Sequence, residues 1–177
     1  MTLARMAGRV VLAAAWLWLA AGAAMAQITI GSPGEPAKLA LGGGAFDITP
    51  SNSNAGGTAG ELRAEYRFGS LPWPVAPFVG VSGTSDGAFY GYGGFGVDIN
   101  LTPALVLTPN FAAGYFAHGS GTNLGSWMEF RSGAELAWRL PNLARLGVAF
   151  HHTSNAGLTK RNPGAQSIAL VYSIPLQ

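Results

Sequence analysis

Residues 151–158 read HHTSNAGL, so His152 and Ser154 stand two apart with Asn155 next. An imidazole within hydrogen-bonding reach of a serine hydroxyl is the minimum needed to make that weak nucleophile attack an ester. On an extended strand, residues i and i+2 leave the same face with β-carbons roughly 6 to 7 Å apart, a gap two side chains close by leaning together. The same spacing also arises by chance among polar residues near a strand end. Which face of the strand carries the pair therefore decides what it can do. His151, one step back, has the opposite parity, and His118 falls in a predicted loop. No cluster of His and carboxylates has metal-ligand spacing, so the sequence predicts no metal and no cofactor.

The elements that position this pair read as strands. Glycine is frequent (26 residues), Pro punctuates the chain, and no stretch after the first 26 residues shows a helical period. Between turn signals lie eight runs of alternating character, near 38–48, 59–68, 76–86, 88–101, 104–117, 126–140, 144–156 and 166–176. An even number lets an up-and-down antiparallel meander close without an edge. In the second run Glu61, Arg63, Glu65 and Arg67 share one parity against Leu62, Ala64, Tyr66 and Phe68; the sixth repeats this with Glu129, Arg131, Glu135 and Arg139 against Met128, Phe130, Leu136, Trp138 and Leu140. In the fourth, Tyr90, Tyr92, Asp98 and Asn100 oppose Phe89, Phe95, Val97, Ile99 and Leu101.

Composition bounds the environment. Arg5 and Arg9 precede the apolar run Val10 to Ala21, followed by Ala24-Met25-Ala26, the pattern of a secretory signal over 1–26 that is cleaved to leave a domain of residues 27–177. The run is too short to span a bilayer. Without Arg5 and Arg9 the ten Lys and Arg fall to eight, against eight Asp and Glu, so no basic excess remains for nucleic acid. Cysteine is absent, which excludes disulfides and thiolate metal sites. Charged residues make up 10% of the chain, against roughly 25% in an ordinary soluble domain.

Two architectures fit the alternation: a soluble lipocalin-like barrel with the apolar parity inward, and an outer-membrane barrel with that parity on lipid and the polar parity in the lumen. The connections SNSNAGGTAG, SGTSDG and AHGSGTNLG are almost uncharged, while acids and bases alternate on one face of two strands. That distribution favours the membrane barrel, whose narrow lumen holds paired charges. Trp73, Trp127, Trp138 and Tyr172 near strand ends suit interfacial girdles. In the seventh run Leu146, Val148 and Phe150 form the apolar series, and His152 and Ser154 continue it. Both then emerge on the outside of the barrel. With the termini in the periplasm, the turn after this strand is extracellular, which sets the pair at the outer-leaflet interface.

The string HHTSNAGLTKRNPGAQSIALVYSIPL (151–176) closely resembles the PagL family of lipid A 3-O-deacylases, and the preceding EFRSGAELAWRLPNLARLGVAF does so more loosely. The resemblance implies an eight-stranded outer-membrane barrel that removes the ester-linked acyl chain at the 3-position of lipid A. It matches Ser154 to the nucleophile and His152 to the general base. Asn155 and Gly157 match the segment whose backbone N–H groups hold the oxyanion, and Asn162, in NPG, matches an asparagine that helps shape the site; Asn-Pro-Gly is also a turn former. Lipopolysaccharide is the implied substrate, outer-membrane lipids the surroundings, and a second copy of the chain, as a homodimer, a candidate partner.

The family's third triad member is a glutamate, and Gln166 stands at the matching position. No Asp or Glu follows Glu135, and Glu129 and Glu135 have luminal parity. An amide oxygen can accept the histidine N–H but supplies no negative charge. The readings are a Ser-His-Gln esterase of altered rate, a non-catalytic structural or lipid-binding barrel, and the soluble ligand-carrying barrel.

Overall fold

The computed structural model describes residues 28–50, 56–69, 71 and 73–176; the expected signal segment lies outside them. Ten strands follow one another: β1 (Thr29–Ile30), β2 (Lys38–Phe46), β3 (Ala59–Arg67), β4 (Val75–Thr84), β5 (Phe89–Val97), β6 (Ile99–Asn100), β7 (Leu105–Ala117), β8 (Met128–Arg139), β9 (Arg145–Ser154) and β10 (Ala165–Pro175). All neighbours pair antiparallel, and the β10–β2 and β7–β8 ladders close eight long strands into a barrel. Closure satisfies every ladder without a free edge, the condition for crossing a bilayer with strands. The connections 47–58, 118–127 and 155–164 make one end of the barrel the loop end; the chain termini and shorter turns lie at the other.

The two parities separate as the sequence requires. On β3, Leu62 is 73% exposed while Glu61, Arg63 and Glu65 are buried; on β9, Leu146, Val148 and Phe150 are exposed and Gly147, Ala149, His151 and Thr153 are not. The outside is thus a greasy wall and the inside a charged, hydrogen-bonded core, the inverse of a soluble barrel. Trp138 and Tyr172 both register with Leu146, and with exposed Trp73 they mark the terminus end, while Trp127 and Tyr115 pack 6.4 Å apart at the loop end.

Charges inside pair across the lumen. Glu65 accepts from Arg131 on β8 (2.8 Å), Arg67 on its own strand (2.9 Å) and the Tyr92 hydroxyl on β5 (2.9 Å). Arg67 also reaches Glu135 at 2.6 Å, and the Arg131 guanidinium stacks 4.1 Å from the Tyr92 ring centroid. Each partner needs the others, since removing one member of a buried pair costs roughly 3–5 kcal/mol. His151 belongs to this network: Nδ1 lies 2.8 Å from Arg63 and Nε2 3.1 Å from the Asn110 side-chain oxygen. A guanidinium only donates, so Nδ1 accepts and the proton sits on Nε2. A luminal cavity of about 70 Å³, bordered by Glu65, Arg67, Glu135 and His151, is polar and roomy enough to hold ordered water.

The run expected as one strand over 88–101 is broken at Asp98. Its carboxylate accepts from Ser32 (2.7 Å), Thr108 (2.7 Å) and Arg145 (2.5 Å), and its carbonyl takes the Gly31 N–H at 2.7 Å. These contacts hold residues 28–37 across the terminus end, where β1 pairs with β6. Glu35 anchors the segment to Arg139 (2.7 Å), Arg145 (2.6 Å) and Lys38. Burial alone would raise the Glu35 carboxyl, but the Arg145, Lys38 and Arg139 charges outweigh it and hold the group below its ordinary range.

Candidate active site

Ser154 ends β9 and His152 sits two residues before it; both are half-buried and project outward with Phe150. Cross-strand register supplies their neighbours. His152 stands between Ser132 on β8 and Gln166 on β10, and Ser154 is opposite Phe130. Gln166 and His152 are therefore brought together by the ladder itself, with amide Nε2 at 3.3 Å from imidazole Nδ1. An amide NH2 only donates, so in this arrangement Nδ1 accepts and the ring proton rests on Nε2.

The imidazole leans along the strand over Gly164. A β-carbon built there would fall 2.6 Å from its Cε1 and 3.2 Å from its Nε2. Gly164 also has φ of +68°, a left-handed backbone that L side chains rarely adopt. The chain emerging from the Asn-Pro-Gly turn thus leaves a bare patch beside Ser154 into which the ring fits. The signal for this in the sequence was only the glycine after Pro163, which a turn explains equally well.

The loop 155–164 is organised by one buried side chain. Asn155 is fully buried, and its Nδ2 donates to the carbonyls of Leu124 (3.0 Å) and Arg161 (2.7 Å) and to Thr159 Oγ1 (2.9 Å). Its Oδ1 accepts the Gly157 N–H at 2.9 Å, and its own N–H donates to Asn162 Oδ1 at 3.0 Å. The two backbone donors expected at Asn155 and Gly157 are hence already engaged inside the turn. Two other donors remain without a hydrogen bond among the described residues: the Ala156 N–H, held at φ of +52°, and the Asn162 Nδ2. Left-handed backbone at Ala156 costs on the order of 1 kcal/mol and turns this peptide out of the strand direction.

Sequence reasoning missed Thr49. The loop after β2 brings its hydroxyl onto Gln166, where it donates to Oε1. No spacing in the chain links residues this distant, since only barrel closure makes β2 and β10 neighbours. Of the other histidines, His151 is luminal as its parity indicated, and His118 lies in the β7–β8 connection. Among the described residues no group of three or more His, Cys, Asp or Glu is arranged to hold a metal.

A closed eight-stranded antiparallel barrel with an apolar outside and a charged inside is an outer-membrane β-barrel, and it carries its polar cluster on the lipid side. Residues 60–175 match the family model described as "Lipid A 3-O-deacylase (PagL)", and the chain belongs to that family. Among solved structures, one described as the outer membrane enzyme PagL aligns with a TM-score of 0.58 at 20% identity, covering 78% of this chain and 99% of that one. A de novo designed transmembrane β-barrel aligns with a TM-score of 0.53 at 15% identity, covering 80% and 98% respectively. At such identities these two likenesses concern the fold. No curated protein matches the chain.

Proposed function

We propose that this chain hydrolyses the ester-linked acyl chain at the 3-position of lipid A, with Ser154 as nucleophile, His152 as general base and Gln166 in the place of the triad acid. The observation that carries the reading is the outward row at the loop end. There His152 is hydrogen-bonded to Gln166 on one side and leans over Gly164, beside Ser154, on the other. A lipid whose acyl chain lies along the barrel wall presents its ester at that height, because the apolar series Leu146, Val148 and Phe150 runs directly below.

In the reaction Ser154 Oγ attacks the ester carbonyl while imidazole Nε2 takes its proton; the imidazolium then protonates the departing sugar oxygen, and water repeats the sequence on the acyl-serine. The negative oxygen of the tetrahedral intermediate needs preorganised donors, worth about 3 kcal/mol each. Ala156 N–H and Asn162 Nδ2 are the groups we assign to that task, with Asn155 and Gly157 shaping the loop that presents them. Nε2 must be unprotonated to act, which requires Nδ1 to carry the proton and Gln166 to turn its oxygen toward it.

The second reading, a structural or lipid-binding barrel without turnover, is favoured by one observation: the amide NH2 faces Nδ1, the arrangement that leaves the base silent. Incubating the refolded protein with lipid A in detergent and following loss of one hydroxyacyl chain by mass spectrometry separates the two. Activity is expected and is expected to vanish in Ser154→Ala. Gln166→Glu should raise the rate by tenfold or more, since an amide for an acid in a triad costs up to about ten-thousandfold. Inactivity of both parent and Gln166→Glu would leave the non-catalytic reading. A homodimer finds no support in the comparisons and forms no part of this proposal.

A further inference from the structure

The Gln166 amide spans two groups. Thr49 Oγ1 donates to its oxygen, its nitrogen lies 3.3 Å from His152 Nδ1, and the Ile48 N–H bonds its main-chain carbonyl at 3.0 Å, fixing the strand beneath. The two ends of an amide are not alike: the NH2 only donates and the oxygen only accepts. Whichever end faces position 49 therefore determines the end that faces the imidazole. That end in turn determines which ring nitrogen holds the proton. With NH2 on Nδ1 the proton rests on Nε2; with the amide turned over, Oε1 accepts from Nδ1–H and Nε2 is left as a base. In the structure the Thr49 hydroxyl acts as a donor and so holds Oε1 toward itself and the NH2 toward His152; a group at position 49 that only accepts would reverse the amide, and one that only donates would keep it as it is. A glutamate at position 166 would accept from both neighbours and carry no such choice.

We propose that Thr49 is a positioning residue that, through its hydrogen bond to Gln166, sets the orientation of that amide and hence the tautomer of His152. The proposal builds on the reading of Ser154 and His152 as the reacting pair. It predicts that activity in this chain is governed from an adjacent loop. An acceptor at position 49 draws the NH2 toward itself and presents the amide oxygen to His152. A donor does the reverse.

The test uses the full barrel in detergent micelles with 15N-labelled histidine, the His152 resonances being those lost in His152→Ala. Folding of each variant is checked by its heat-modifiable gel mobility. The parent and Thr49→Ser should show the proton on Nε2. Thr49→Asp should move it to Nδ1 and raise kcat on lipid A by about tenfold or more at unchanged KM, part of the roughly ten-thousandfold that a wrong tautomer costs. Thr49→Lys should keep it on Nε2 and lower kcat. In Thr49→Asp combined with Gln166→Ala the shift to Nδ1 should disappear, because the effect passes through the amide. The same tautomer in Thr49→Asp and Thr49→Lys overturns the proposal, and so does a shift that survives without Gln166. The tautomer is read without turnover, so a protein inert on lipid A would sink the esterase reading and leave this one decided by its own spectrum.

Discussion

Replacing Gly164 with alanine asks whether the bare patch beneath His152 matters to the chemistry. The added β-carbon would sit 2.6 Å from imidazole Cε1, about 1 Å inside the optimal carbon–carbon separation. Backbone on one side and ladder partners on the other leave the ring as the part that yields, and it must shift outward by about that amount. A misplacement of about 1 Å at a catalytic group costs on the order of a hundredfold in rate, so kcat/KM on lipid A should fall by about that factor. The substitution also strains a left-handed backbone (φ +68°), at roughly 1–2 kcal/mol. Gly87→Ala controls for that strain: its φ is +82° and nothing lies within 4 Å of the added carbon. Acyl release is measured by mass spectrometry for both variants, in the Gln166→Glu background if the parent is slow, alongside thermal unfolding. A Gly164→Ala rate within about threefold of the parent, or an equal loss in Gly87→Ala, would show that the seat under His152 does not position the ring for the reaction.

Two further outcomes follow from the fold. Glu35 has its carboxyl held below the ordinary range, so its contribution is present above that range and is lost as the pH falls through the lowered folded value. The protection factor of the Gly31 amide, its exchange rate relative to that of an unstructured peptide at the same pH, should therefore fall at acid pH, and Glu35→Gln should show the lower protection already at neutral pH. Leu170, 58% exposed on the outer wall of β10, should tolerate Arg poorly, at roughly 2–4 kcal/mol if it lies near the bilayer midplane, measured by equilibrium refolding into lipid vesicles.

The barrel was legible in the sequence because lipid outside and a packed lumen inside force opposite demands on alternate residues. Glu61, Arg63, Glu65 and Arg67 on β3 and Arg131, Glu135 and Arg139 on β8 display that alternation with charges that pair inside the barrel, whereas Glu129, of the same parity, has a buried carboxyl group with no hydrogen-bond partner among the described residues. The outward placement of His152 and Ser154 followed from Leu146, Val148 and Phe150 by parity alone. Where alternation was the only guide, details were lost. Asp98 has the parity of an ordinary strand residue, and its break between β5 and β6 depends on Arg145 and Ser32, which are distant in sequence. Residues 28–37 contain too few apolar positions to signal the two-residue strand β1, whose stability comes from ion pairs at Glu35. The donors expected at Asn155 and Gly157 turned out to serve the loop because a buried asparagine satisfies its whole surroundings at once. Thr49 and the seat at Gly164 exist only after closure.

The charged pairs inside the barrel have a mechanical meaning. Glu65 to Arg131 and Arg67 to Glu135 join β3 to β8 across the full width of the tube, as spokes brace a wheel. A hollow ring of strands flattens under uneven squeezing by the surrounding bilayer, and a braced one keeps a round cross-section. The spacing between β8, β9 and β10, on which the meeting of Gln166 with His152 depends, is thus set by ties inside the tube as well as by the ladders of its wall.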